Sequence, residues 1–335
     1  MKNVYPSYYG KFKCIANLCK DSCCKDWDVV VDSEAEEFYN TVNNSLGEKI
    51  RRITVTDGDG DRIFVSKDGH CPFWNSDMLC DIYIGLGEEH LCKTCSSFPR
   101  ITAGFSDFEE HFLSFACPEA ARLILAEENA YEAFETAEYK PDSQDYDTNL
   151  MKILLQARAE NARLLKNRSE TMAQRLADCL VYNARLQSVL NGDEPETEIR
   201  GTSNKSPRFI FAFFKTLDYM HGNVPQIIKT AESAADKNIT YAYDDAFEKL
   251  ALYNLYRYYL NSVDSMDVMN TVKRIVCEFI ILNYALAANP RLDLADAMQK
   301  YSKEIEHSYE NSEEIEFEFM TNPDFSAENL LGLLE

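Results

Sequence analysis

Nine of the eleven cysteines lie within the first 117 residues, and this clustering constrains the chain more than any other feature. Cys92 and Cys95 are two residues apart, so their thiolates can converge on one metal ion or one cluster face. Cys23 and Cys24 are adjacent and can serve two centres, or one as a ligand and one as a support. The spacing therefore predicts a metal site formed by the following cysteines: Cys14, Cys19, Cys23, Cys24, Cys71, Cys80, Cys92, Cys95 and Cys117.

Disulfides are not expected, because the sequence favours a reducing compartment. The first residues, MKNVYPSYYGKFKC, contain no apolar signal core. The longest apolar runs are far shorter than the roughly 20 residues that a membrane span needs. We therefore expect a cytoplasmic protein, in which thiols stay reduced. The net charge of −22 repels nucleic acid and anionic membranes and favours cationic partners.

The identity of the metal is left open by the residues alone. Zinc in structural sites takes four ligands, usually from paired knuckles, and only one C-x2-C pair is present. Irregular spacing with vicinal cysteines is more typical of iron–sulfur ligation, in which one cluster takes four thiolates. Nine cysteines are one more than two such clusters need. His70, His90 and His111 lie in the same region and could substitute, although we expect them to be surface or supporting residues.

The fold class predicted is mainly α, with an irregular cysteine-rich metal-binding domain over 1–120 and an α-helical domain over 121–335 that offers a substrate groove. Residues 51–66, RRITVTDGDGDRIFVS, predict a small β-hairpin around a Gly/Asp turn. A calcium loop is disfavoured there, because Arg62 stands where the glycine is required. Cys179 and Cys277 fall within helical patterns and are expected to be buried core residues.

Several helices are predicted by apolar spacing after Pro118, which is suited to the first turn of a helix. Residues 148–190 have apolar positions three and four apart. Residues 191–207 read as a loop, and 206–223 as one helix that ends at Gly222 and Asn223. Further helices are expected over 244–263, over 268–289 and after Pro290, followed by a short helix and a partly exposed acidic tail.

The cysteine region resembles the flagellin lysine-N-methylase family. The matching stretches cover most of residues 5–125: YPSYYGKFKCIANLCKDSCCKDWDVVVD, HCPFW, CDIYIGLGEEHLCKTCSSFPR and LSFACPEAARLIL. The same core is also similar to a broader cysteine-cluster family of zinc or iron chelators. That similarity leaves a non-catalytic chelating or iron–sulfur redox protein as the alternative.

The resemblance implies methyl transfer from S-adenosylmethionine to lysine side chains of flagellin, and a [4Fe–4S] cluster on the cysteines, with zinc as the alternative metal. Candidate bases in the motif region are Tyr83, Glu88 and Glu89. Arg100 could pair with the carboxylate of the cosubstrate, and Trp27 could shield the metal or stack on a purine. The sequence contains no glycine-rich Rossmann fingerprint and no C-x3-C-x2-C loop of radical enzymes.

Overall fold

The computed structural model describes residues 1–195, 198–202, 206–241 and 244–335. The described chain forms two compact units. The cysteine unit comprises residues 11–101 and 113–121, and it contains all nine N-terminal cysteines. The helical unit comprises residues 1–10, 102–112 and the chain from 122 onward. Parts of the loop predicted over 191–207, at 196–197 and 203–205, lie outside the described residues.

Helices form most of the regular structure, together with a few short strands. The strands are β1 (Lys2–Val4), β2 (Val29–Val30), β3 (Thr54–Thr56), β4 (Arg62–Phe64), β5 (Arg100–Phe105) and β6 (Phe108–Leu113). The helices as far as residue 190 are α1 (Ser33–Thr41), α2 (Ser45–Ile53), α3 (Asp81–Leu86), α4 (Lys93–Ser97), α5 (Pro118–Ala126), α6 (Glu132–Glu135), α7 (Thr148–Leu165) and α8 (Met172–Leu190). The later helices are α9 (Arg208–Phe214), α10 (Asn223–Glu232), α11 (Asp244–Tyr258), α12 (Ser262–Ser265), α13 (Met269–Ala288), α14 (Leu294–Ile305), α15 (Tyr309–Thr321) and α16 (Ala327–Leu334).

The predicted hairpin is confirmed as β3 and β4, which pair antiparallel, and β2 adds a third strand beside β4. The turn between β3 and β4 is stabilised by Asp57, whose Oδ1 accepts hydrogen bonds from the backbone N–H groups of Asp59 and Asp61 at 3.0 and 2.8 Å. This is the local side-chain capping that aspartate favours in turns. The Asp57 carboxylate therefore has a structural role.

A second sheet, not predicted, has the strand order β1-β6-β5, with β1 parallel to β6. This pairing, which begins with Lys2 opposite Phe108, places residues 1–10 and 102–112 in the helical unit. The boundary predicted between residues 120 and 121 lies at the end of the cysteine unit. The prediction of a continuous N-terminal domain did not foresee this parallel pairing, because its partners are about a hundred residues apart in the chain.

A buried ion pair fastens this sheet to the first long helix. Glu110 on β6 and Arg158 on α7 are 1% and 3% exposed, and two of their N···O distances are 2.6 and 2.7 Å. The Tyr139 hydroxyl donates to the same carboxylate at 2.6 Å, and the Tyr256 ring lies 4.9 Å from the guanidinium. Both charges are thus fully partnered, which is the condition for burying them.

The core of the helical unit is built around α13, which contacts α8, α10, α11 and α14. Most of its residues are buried, as its nearly continuous apolar sequence predicts. The helical patterns over 148–190, 244–263 and 268–289 are confirmed as α7 with α8, α11 and α13. Cys179 and Cys277 are buried on α8 and α13, also as predicted.

Three helix predictions in the C-terminal half were wrong. Helix α9 ends at Phe214 instead of Gly222, and Asn223 begins α10 instead of ending a helix. Pro290 precedes its helix by four residues, because the Asp293 side chain caps α14 through the N–H of Asp296. The acidic C-terminal segment ends in the helix α16, in which Leu330, Leu331 and Leu334 are buried, so these last described residues form a packed helix instead of the expected exposed tail.

Replacing Glu278 by glutamine should stabilise the protein increasingly as pH rises. Glu278 is 5% exposed on α13, and its carboxylate accepts one hydrogen bond, from Asn254 Nδ2 at 2.7 Å. Burial, reinforced by the negative charge of Glu306, raises the pKa of Glu278 well above its ordinary value. The folded state therefore binds this proton more tightly than the unfolded state. The stability that this proton contributes is present in full below the pKa that Glu278 has in the unfolded state. It is lost as the pH rises through the pKa that Glu278 has in the folded state.

Urea unfolding of both proteins at pH 5 and pH 8 tests this expectation. The difference in unfolding free energy should favour Glu278→Gln by on the order of 1 kcal/mol at pH 8 and shrink at pH 5. A difference that does not change with pH would show that the carboxyl group does not titrate as the structure implies.

Candidate functional site

All nine N-terminal cysteines are free thiols in the structure. They differ in exposure: Cys71, Cys92 and Cys117 are buried, whereas the others are half-buried or exposed. Cys71 and Cys92 belong to a small hydrophobic core with Tyr39, Phe64 and Phe73. This core encloses these two thiols, and Cys24 and Cys80 pack against it half-buried.

Five of the thiols form a first group within electrostatic reach of one another. Cys71 interacts with Cys24, Cys80 and Cys92, and Cys95 interacts with Cys92 and Cys24. The backbone holds these segments together, since Cys71 N–H donates to the Cys24 carbonyl at 2.7 Å. Burial raises the pKa of the Cys71 thiol to about 12.

The remaining thiols form a second group. Cys117 interacts with Cys19 and Cys14, and Cys23 interacts with Cys14 and Cys117. Burial raises the pKa of Cys117 to about 11. Cys23 also interacts with Cys24 and Cys95 of the first group, so the two groups meet at Cys23. Four thiols thus lie in the second group and five in the first.

Two thiol pairs share hydrogen bonds. The Cys23 thiol stabilises the Cys24 thiolate and lowers the Cys24 pKa to about 7, while the pKa of Cys23 itself rises. Cys95 lowers the pKa of Cys92 in the same way. Cys92 precedes α4, so the helix backbone sets this second pair: the N–H groups of Cys95 and Ser96 donate to the Cys92 carbonyl at 3.0 and 2.9 Å. The Cys24 and Cys92 thiols therefore lose their protons more easily than their partners Cys23 and Cys95 do.

The donor set suits a thiolate-bound metal or cluster, because nine free thiols meet the ligand preference of both zinc and iron–sulfur centres. Within the described ranges, however, no three Cys, His, Asp or Glu side chains converge closely enough to hold a single metal ion. The thiols are chemically suitable ligands for such a metal, and two pairs of them already share hydrogen bonds, Cys23 with Cys24 and Cys92 with Cys95. Metal ligation by the nine cysteines stays a prediction.

Trp27 and Arg100 occupy positions that differ in their surroundings. Trp27 Nε1 donates to the Cys23 carbonyl at 2.7 Å, and its ring lies edge-on to Phe98 at 5.8 Å. It therefore packs directly beside the adjacent cysteine pair, where it could limit access of water. Arg100 is exposed, and its guanidinium lies 5.3 Å from the Phe12 ring. Cosubstrate binding by either residue stays a prediction.

Tyr83, Glu88 and Glu89 are all exposed. Tyr83 lies on α3, and the two glutamates follow Gly87, whose φ of 96° turns the chain there. Glu89 approaches His90 at 4.0 Å. The structure does not enclose these three side chains in a common cleft among the described residues, and their role as bases stays a prediction.

The three histidines have structural surroundings. The His111 ring is bonded at both nitrogens, to Thr102 at 3.0 Å and to Asn3 at 2.8 Å. His90 stacks on Phe38 with ring centroids 3.7 Å apart, and His70 Nδ1 approaches the Asp68 carbonyl at 2.9 Å. Whether any of them supports or binds a metal stays a prediction.

Sequence reasoning missed a half-buried polar cluster in the helical unit. The hydroxyls of Tyr253 and Tyr258 both donate to Glu306 Oε2, at 2.9 and 2.6 Å. Arg257 lies between these tyrosines in sequence, with its guanidinium 4.9 Å from the Tyr258 ring. The sequence signal for this cluster was the presence of polar residues within an otherwise apolar helical pattern. Such a pattern does not show which side chains contact one another.

Comparison with known proteins adds an independent line of information. A family model described as the FliB lysine N-methylase C-terminal domain matches residues 198–333. The chain is 30% identical over 131 residues to the lysine-N-methylase of Salmonella typhimurium, covering 37% of this chain and 33% of that protein. It is 30% identical over 131 residues to the flagellar biosynthetic protein FliU of Salmonella muenchen, covering 37% of this chain and 78% of that protein. No solved structure matches the chain.

The match to FliU, which covers 78% of that protein at 30% identity, shows the family. The chain belongs to the FliB/FliU lysine-N-methylase family, as the resemblance of its cysteine region indicated. The chain spans a third of the length of the S. typhimurium lysine-N-methylase and most of FliU. Among the described helices, none combines the length and apolar character that crossing a membrane requires.

Proposed function

We propose that this chain methylates lysine side chains of flagellin with S-adenosylmethionine as the methyl donor, and that its cysteine unit holds two metal centres of the [4Fe–4S] cluster type. Membership of the lysine-N-methylase family is the observation that carries the proposal. Relatives named lysine-N-methylase and flagellar biosynthetic protein point to a lysine in a flagellar protein. We place the activity in the cytoplasm, where the free thiols stay reduced.

The reaction requires a neutral lysine aligned with the donor. The lysine nitrogen uses its lone pair to form a bond to the methyl carbon, the carbon–sulfur bond breaks, and the donor leaves as a neutral thioether. The proton lost from the amine must reach a base or solvent. Because the ordinary lysine pKa is about 10.4, the site has to favour the neutral amine by desolvation or by a base. The net charge of −22 favours the approach of a lysine-bearing substrate.

The cysteine unit supplies thiolate ligands in two groups. One contains Cys24, Cys71, Cys80, Cys92 and Cys95, and the other contains Cys14, Cys19, Cys23 and Cys117. Each group has at least the four thiolates that one cluster takes. We propose that each group holds one centre, and that the adjacent pair Cys23 and Cys24 contributes one ligand to each. Zinc is the alternative metal for the same donors.

The test is a methylation assay with anaerobically purified protein. Flagellin is incubated with S-adenosylmethionine with and without this chain, and lysine peptides are analysed by mass spectrometry. Methyl increments on lysine that need both the chain and the donor are expected. Bound iron and sulfide without methylation would instead favour the non-catalytic chelating or redox protein. A colourless protein that contains zinc would overturn the cluster part of the proposal.

A further inference from the structure

Arg257, near the end of α11, has an environment unlike that of the other enclosed arginines. It is half-buried, and its Nε is enclosed without a hydrogen-bond partner. Within the part of the chain that the structure describes, no hydrogen bond or ion pair includes Arg257. By contrast, the buried residues Arg158 and Arg175 bind Glu110 and Glu248. Enclosing a charge without a partner costs free energy, and proteins keep such arrangements mainly at functional sites.

Aromatic rings hold the Arg257 guanidinium without using its hydrogen-bonding groups. The Tyr258 ring lies 4.9 Å and the Phe112 ring 5.9 Å from its central carbon. Cation–π contacts of this kind stabilise the charge through its flat face. The N–H groups at the edge of the guanidinium remain available, and their planar fork matches the two oxygens of a carboxylate.

The neighbouring acidic side chain does not neutralise Arg257. The Glu306 carboxylate is engaged by the hydroxyls of Tyr253 and Tyr258, and it forms no ion pair with Arg257. Lys303 lies nearby, since it and Arg257 both act on His307. The same histidine also interacts with Glu306, so the surroundings of Arg257 contain charges of both signs.

We propose that Arg257 binds the carboxylate at the aminoacyl end of S-adenosylmethionine. This inference rests on the proposed function, which requires a site for that donor. It assigns cosubstrate recognition to the helical unit, within the residues that match the family model. Arg100, the arginine predicted for this role, is exposed, so leaving it without an ion pair costs little.

The sharpest test compares S-adenosylmethionine with its decarboxylated analogue, which differs by that carboxylate alone. Binding of each is measured by calorimetry for the wild-type protein and for Arg257→Gln, Arg257→Lys and Arg100→Gln. The wild-type protein should prefer the carboxylated donor by about 10- to 100-fold, the range for a charge-assisted hydrogen-bonded pair. Arg257→Gln should lose this preference, and Arg257→Lys should regain part of it, because lysine supplies charge without the fork.

The outcomes separate the two proposals. If the wild-type protein binds neither compound, the proposed function fails and Arg257 fails with it. If the wild-type preference persists in Arg257→Gln, or disappears in Arg100→Gln, only the assignment to Arg257 is wrong. Equal binding of the two compounds by the wild-type protein would show that the carboxylate is not recognised, which also overturns the assignment.

Folding of the variants is checked by thermal melting. Arg257→Gln should melt at or above the wild-type temperature, because it removes an enclosed charge that has no partner in the described structure. Arg163→Gln serves as a matched control, since Arg163 lies on an exposed helix surface and pairs with Glu160 at 2.6 Å. It should leave the preference for the carboxylated donor unchanged.

Discussion

Arg158→Met should lower the free energy of unfolding by about 3–5 kcal/mol, the range for breaking a buried ion pair on one side. Methionine fills much of the space of arginine but leaves the Glu110 carboxylate enclosed with Tyr139 as its remaining partner. The carboxylate would then have to stay charged without a cation or take up a proton. Because Glu110 is on β6 and Arg158 on α7, the loss should loosen the attachment of the second sheet.

Urea unfolding followed by circular dichroism measures this change. Arg163→Met is the matched control, because its ion pair with Glu160 is exposed and should be worth less than about 0.5 kcal/mol. Combining Arg158→Met with Glu110→Gln should restore part of the lost stability, since neither charge then remains. A loss below about 1 kcal/mol in the single variant would show that the pair does not carry the attachment.

Cys71→Ala and Cys117→Ala should each remove about half of the bound iron, and the double variant nearly all of it. These cysteines belong to different thiol groups, and a cluster that lacks one of its four thiolates is expected to be lost or unstable. Iron and sulfide are measured after anaerobic purification, together with flagellin methylation. Loss of all the iron in either single variant would indicate one shared centre and contradict the two-centre assignment.

Cys179→Ala and Cys277→Ala are the matched controls for this experiment. Both thiols are buried in helices of the helical unit, which contains neither thiol group. Each substitution should cost about 1 kcal/mol of stability through lost packing and leave the iron content unchanged. Equal iron loss in these controls would mean that destabilisation, not ligation, explains the results.

Local patterns predicted much of the fold. The Gly/Asp turn between β-branched residues gave the hairpin β3–β4, and three- and four-residue apolar spacing gave α7 and α8. The wrong helix boundaries lie where the same residues can either end one helix or begin the next. Gly222 and Asn223 look like a helix end, yet they begin α10, because Gly222 stands at its N-cap.

Long-range pairings were beyond the reach of the sequence. Cysteine spacing predicted the set of thiols but not their division into two groups, since Cys117 joins Cys14 and Cys19 from about a hundred residues away. The parallel pairing of β1 with β6 and the Glu110–Arg158 ion pair are of the same kind. Arg257 could not be singled out either, because the absence of a partner becomes visible only when its neighbours are known.

Methyl transfer itself is tested most directly with S-adenosylmethionine that carries a trideuterated methyl group. Purified chain, labelled donor and flagellin are incubated without oxygen, and lysine peptides of flagellin are analysed by mass spectrometry. We expect trideuteromethyl increments on lysine side chains, which require that the donor supplies the group and this chain transfers it. Protein that retains its metal and binds the donor, yet leaves every flagellin lysine unlabelled, would contradict the assignment as a flagellin lysine methylase.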